Sequence, residues 1–263
     1  MRFTSQTSSD GVLERLFITD GVPGVLWSPA GDSAARRPLI LLAHGGGQHK
    51  KAPGSLARAH RYVTACGFAV AAIDAPGHGG RARTEHDERF VAGMRERMAA
   101  GEPVYRDIAR YNAELAARAI PEWQAVIGAV TELDGAGADG PVGFWGVSLG
   151  AAIGVPLAAA EPRIKAAVFG LAGHETLAGA AARVTVPVQF LLQWDDEHVP
   201  RDSGLALFDA FASREKTLHA NPGRHVEVPR FESEDSARFF TRHLVDADGS
   251  ATVSPGTGST ARS

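Results

Sequence analysis

Gly146-Val147-Ser148-Leu149-Gly150 is the stretch whose residue types and spacing most directly suggest chemistry. It follows the apolar run Val142-Gly143-Phe144-Trp145, so a strand is expected to end where the pentapeptide begins. In a G-x-S-x-G turn from strand to helix, the serine sits at a strained tip and its hydroxyl projects from the sheet edge. The flanking glycines have no Cβ and let strand and helix approach closely. A serine hydroxyl attacks a carbonyl only if a histidine takes its proton and an acid orients that histidine. Three histidines, His219, His225 and His243, follow Ser148 at positions suited to a base, and Asp195, Asp196 and Glu197 compete as the acid.

The elements that must position these groups follow from hydrophobic periodicity. Segments 12–18 and 22–27 flank Asp20-Gly21 and read as a hairpin at a sheet edge. Continuous apolar runs at 39–43, 68–73, 142–145, 164–171 and 187–194 suit parallel strands buried on both faces. Helical spacing appears at 55–66, stopped by Gly67, and at 121–133, where Pro121 fits a first turn and Trp123, Val126, Ile127 and Val130 share a face. Further helices are expected over 149–160, 203–211 and 233–244, with a short strand at 216–219. Strands alternating with helices predict an α/β fold, a mostly parallel sheet covered on both faces. Segment 81–118 is dense in Arg and Glu, carries Met94 and Met98, and is broken by Gly101-Glu102-Pro103; it exceeds the minimal alternation and reads as a small helical lid. The expected division is one domain over 1–245 and a disordered Gly/Ser/Thr-rich tail over 246–263. In such sheets ligands bind beyond the carboxyl ends of the strands. His44-Gly45-Gly46-Gly47, Asp74 to Gly79, Ser148, Gly173-His174, Asp195-Asp196 and His225 all follow apolar runs.

Composition removes several function classes. With 263 residues, 44% hydrophobic and 22% charged, the chain can bury a sizeable core. A net charge of −3 with no basic block points to neither nucleic acid nor a membrane as partner. The single Cys66 forms no internal disulfide, and the first residues lack the apolar core of a signal peptide, so a cytoplasmic location is expected. The histidines show neither H-x-x-x-H spacing nor cysteine partners, so no metal or other cofactor is expected.

With these groups in place, the chain resembles the α/β-hydrolase superfamily over roughly 38–244, within its serine esterase and dienelactone-hydrolase-like branch. That family orders its triad Ser, Asp/Glu, His. Asp196-Glu197-His198-Val199-Pro200 is similar to the family's D-x-x-V-P loop and selects Asp196 over Asp195; Pro222-Gly223-Arg224-His225 resembles its Pro-Gly-x-His loop and selects His225. The resemblance implies Ser148 as nucleophile, and an oxyanion hole from the N–H groups of Leu149, Gly46 and Gly47, the last two in an HGGG-type loop. His44 then holds that loop, and Gln48, His49, His78 and His174 are possible pocket residues. Dienelactone hydrolases carry cysteine where this chain has Ser148. The implied activity is hydrolysis of small or medium carboxylic esters. Lactone, thioester and perhydrolysis chemistry on the same triad are alternatives, and a non-catalytic ligand-binding protein of the same fold is a further one.

Overall fold

The computed structural model describes residues 1–31, 36–133 and 140–245; the tail expected over 246–263 and part of segment 29–37, whose polar sequence reads as a loop, lie outside them. The chain opens with β1 (Arg2–Ser9), β2 (Val12–Thr19) and β3 (Val22–Pro29), an antiparallel meander. Next come β4 (Leu39–Ala43), α1 (Pro53–Cys66), β5 (Ala69–Ile73), α2 (Glu85–Ala99) and α3 (Tyr105–Thr131). The second half adds β6 (Val142–Val147), α4 (Leu149–Ala160), β7 (Ile164–Gly170), α5 (Ala178–Ala181), β8 (Val188–Gln193), α6 (Arg201–Ala210), β9 (Lys216–Asn221) and α7 (Glu232–Leu244). One sheet joins the strands in the order β1-β2-β3-β5-β4-β6-β7-β8-β9. From β5 to β9 every pairing is parallel, and β3 joins β5 antiparallel.

Alternation along the strands builds two cores. In β4, Leu39, Leu41 and Ala43 face one cluster with Leu115, Trp123, Phe144 and Ile153, under α3 and α4. Ile40 and Leu42 face the other with Tyr62, Val63, Phe240 and Leu244, under α1 and α7. Burial on both sides is why β4, β5 and β8 have no polar alternation. Among the described residues, no helix is long and apolar enough to cross a membrane.

Three elements differ from the sequence reading. β1 was absent from it, because its sequence RFTSQTSS offers only Phe3 as a large apolar residue and its strand is almost wholly exposed. The short α5 has no periodicity to read. Pro121 begins no helix: α3 runs 27 residues with the proline inside. Burial of Tyr111, Leu115 and Ala119 before it, and of Trp123 and Val126 after it, outweighs the lost hydrogen bond. Segment 81–118 therefore comprises α2 and the first half of α3. Pro121→Ala restores an N–H to the helix interior on an exposed face, and should raise unfolding free energy by about 1–3 kcal/mol in urea titrations.

Candidate active site

Ser148 stands between β6 and α4 with φ 56 and ψ −118, one of four non-glycine residues with positive φ among those described. Close packing imposes that turn. A Cβ on Gly146 would lie 2.6 Å from the Gly150 carbonyl oxygen, and one on Gly150 would lie 2.7 Å from that of Ala43. The glycines thus press α4 against β6 and β4, and the chain reverses at Ser148 to fit. The Ser148 N–H donates to the Gly170 carbonyl at 2.9 Å, tying the turn to β7.

His225, on the loop between β9 and α7, places Nε2 3.1 Å from Ser148 Oγ. Its Nδ1 lies 2.8 Å from Asp196 Oδ2. The other oxygen of Asp196 accepts the N–H groups of His198 and Val199, each at 2.8 Å, so the carboxylate is fixed by its own loop. Asp196 is nearly buried, with a side-chain exposure of 5%. Asp195 turns elsewhere and accepts the Gly223 N–H at 3.2 Å. Glu197 accepts the His225 backbone N–H at 2.9 Å and so positions the histidine loop from outside. Of the rival histidines, His219 pairs with the buried Glu232 at 2.9 Å and His243 lies beside Glu215 at 3.6 Å.

The glycine loop after β4 is held at both ends. His44 Nε2 accepts the Ala75 N–H at 3.0 Å, and its Nδ1 lies 2.8 Å from the Gly45 carbonyl. The neutral tautomer protonated on Nδ1 satisfies both contacts. At the far end, Lys50 Nζ donates to Asp74 Oδ2 at 2.6 Å and the Lys50 N–H donates to Oδ1 at 2.8 Å. Burial raises the Asp74 pKa, but these two bonds and one from the Gly80 N–H more than offset it and hold it below the ordinary carboxylate value. Gly46 faces a cavity shared with Ser148 and His225, while Gly47 lines a polar cleft on the loop's other side. Leu149 is the first residue of α4, so its N–H has no partner one turn back in the helix.

The cavity above Ser148 measures about 270 Å³. Its walls come from Met98, Tyr105, Ile108 and Asn112 of the inserted helices, and from Leu171, Leu177 and Val226. None of the four expected pocket residues, Gln48, His49, His78 and His174, borders it. Gln48 and His78 line the neighbouring polar cleft, His49 accepts the Lys51 N–H within its own turn at 3.2 Å, and exposed His174 sits against Ser203. They follow strand ends as expected, but at those ends the cavity is walled by Gly46, Leu171, Ala172 and Gly173 together with residues of α2 and α3. All four wall residues of the inserted helices lie in segment 81–118, read as a lid; Met98 alone among them is singled out by the sequence. The described residues contain one cluster with ligand atoms within 4.8 Å of one another, His219, Glu232 and Asp235. Glu232 there already accepts from Asn221 Nδ2 at 2.8 Å, which suits an internal anchor between β9 and α7.

Solved structures place this architecture among known proteins. A cold-adapted esterase from an Arctic intertidal metagenomic library, in a PEG-bound complex, is 35% identical; the match covers 93% of this chain and 100% of that one, with a TM-score of 0.74. The native structure of that type of esterase matches at 31% identity over 93% and 100% of the two chains, with a TM-score of 0.69. The chain belongs to the α/β-hydrolase superfamily. The esterases among its structural relatives mark it as a carboxylesterase-like member. An acetyl xylan esterase from Paenibacillus sp. R4, 15% identical over 92% of this chain and 88% of that one, shares the fold with a TM-score of 0.64. No protein-family model and no curated protein sequence matches the chain.

His44 carries a pH signature in this α/β-hydrolase. Burial, opposed mainly by the Gly45 carbonyl, lowers its pKa from 6.5 to about 4. Between those values the unfolded chain binds a proton that the folded chain refuses, so stability falls as the pH drops through that window. His243, also lowered by burial, adds in the same direction. Thermal melts from pH 7 to pH 4.5 should show a falling midpoint, and His44→Gln, which retains an acceptor for the Ala75 N–H, should flatten the slope.

Proposed function

We propose that this hydrolase cleaves carboxylic esters of small to medium size through an acyl-enzyme on Ser148, with His225 as base and Asp196 as its orienting acid. The observation that carries the reading is the unbroken chain Ser148 Oγ–His225 Nε2 (3.1 Å) and His225 Nδ1–Asp196 Oδ2 (2.8 Å), opening on a cavity walled in part by Gly46.

Ser148 Oγ attacks the ester carbonyl carbon as His225 Nε2 takes its proton. The Asp196 carboxylate holds Nδ1–H and stabilises the imidazolium. Negative charge gathers on the former carbonyl oxygen, and the N–H groups of Leu149 and Gly46 are its donors, Gly47 facing the other cleft; each such donor is worth about a hundredfold or more in rate. The tetrahedral intermediate collapses, the C–O bond to the alcohol breaks, and His225 returns its proton to the leaving oxygen. Water, deprotonated by His225, then attacks the acyl-enzyme, releasing the acid and restoring Ser148. The half-buried setting of His225 (side-chain exposure 12%) limits competing water around the ion pair that forms. The esterase relatives support ester hydrolysis as the activity.

The test is kinetic. With p-nitrophenyl butanoate, His225→Ala and Asp196→Asn should each lower kcat by about a thousandfold or more. Asp195→Asn should change it by less than about tenfold, since its carboxylate accepts from the Gly223 N–H and not from His225, which pairs with Asp196. Equal losses for Asp195→Asn and Asp196→Asn would overturn the choice of acid, and a folded wild type that hydrolyses no ester would overturn the activity.

A further inference from the structure

The catalytic cavity has a neighbour. A second groove of about 480 Å³ lies between the α2–α3 turn and the Asp196 loop. The two spaces share three wall residues, Met98, Tyr105 and His198. What can pass between them depends on how firmly each of the three is held.

Tyr105 is pinned. Its hydroxyl donates to the Glu175 carboxylate and lies 3.0 Å from Ser203 Oγ, which itself donates to Glu175 Oε2 at 2.6 Å. Gly173 makes room for this convergence, since a Cβ there would fall 2.0 Å from both hydroxyl oxygens. His198 is pinned as well: its N–H donates to Asp196, and its ring stands edge-on to His225 with centroids 5.1 Å apart. Met98 has no such anchor. It is 44% exposed, near the end of α2, a helix whose single buried residue is Asp87 near its start. An unbranched thioether side chain with three rotatable bonds can swing aside at little cost.

The groove beyond Met98 has little free polarity to offer a ligand. Glu102 is taken by Arg97 at 2.8 Å, Glu197 by Arg224 at 3.1 Å and by the His225 N–H, and Asp196 by His225 and two backbone N–H groups. Pro103, Val104 and Pro200 supply apolar wall.

We propose that Met98 is a displaceable partition that sets chain-length specificity, and that the substrates are esters with one extended alkyl chain running from the catalytic cavity past Met98 into the second groove. This rests on the ester-hydrolase reading above and names the substrate class of that site.

The experiment measures kcat/KM for p-nitrophenyl alkanoates by absorbance and for alkyl acetates by pH-stat, each from four to ten carbons, with the rate of Ser148→Ala subtracted. Met98→Ala should raise the ten-to-four-carbon ratio in one of the two series by about tenfold, and Met98→Trp should lower it by about as much, because single apolar contacts discriminate by such factors. The series that responds identifies the chain, acyl or alkyl, that enters the groove. Ratios that stay within about twofold of wild type in both series, with Ser148-dependent turnover intact, would overturn the partition alone. An absence of Ser148-dependent turnover on every ester would instead remove the reading beneath it.

Discussion

The structure turns on the contact between β6 and α4. Their approach is so close that neither Gly146 nor Gly150 has room for a methyl group, and Ser148 absorbs the misfit at φ 56 and ψ −118. Backbone held in such a sparsely populated region costs about 1–3 kcal/mol, which the surrounding packing must outweigh. Phe144 and Ile153, fully buried on either side of the turn, belong to the core that supplies it. What the strain secures is direction: Ser148 Oγ leaves the sheet edge toward His225 rather than folding back as a helix cap, and it makes no capping hydrogen bond.

Around that fixed point, the groups that must not move are held by buried polar contacts, whereas Met98, on the wall facing the substrate, has no such anchor. The glycine loop is clamped by His44 on Ala75 and by Lys50 on the fully buried Asp74. Asp196 is clamped by amides of its own loop. Helix α2 is tied to α3 by Phe90 stacked on Tyr111, by Arg97 paired with Asp107, and by Asp87, whose carboxylate meets Tyr111, Arg118 and Thr84. Burial would raise the Asp87 pKa, and these donors override it and hold the group ionised well below the usual carboxylate range.

The parts legible in the sequence were those that local rules determine. Buried parallel strands such as 39–43 read directly because both faces need apolar residues, and the elbow and the Pro-Gly-x-His turn read because their backbones demand glycine or proline. β1 was not legible, because a polar edge strand gains its stability from pairing with β2 rather than from its own pattern. Pro121 misled because tertiary burial of α3 outweighed a local helix-start signal. The cavity wall was legible as a segment, 81–118, but not residue by residue. Tyr105 and Ile108 reach the site through the path of α3, and of the four polar residues expected to line it Gln48 and His78 line the neighbouring cleft instead, although Gly46 and Gly173, close in sequence to Gln48 and His174, do border the cavity.

The most direct test of the account is where the acyl group lands. The protein is incubated with a p-nitrophenyl ester, quenched in acid within one turnover, and digested for peptide mass mapping. The account predicts one acyl adduct on the peptide carrying Ser148, formed with a burst of p-nitrophenol and lost on the timescale of turnover. Turnover with no adduct, or an adduct on any other residue, would contradict it.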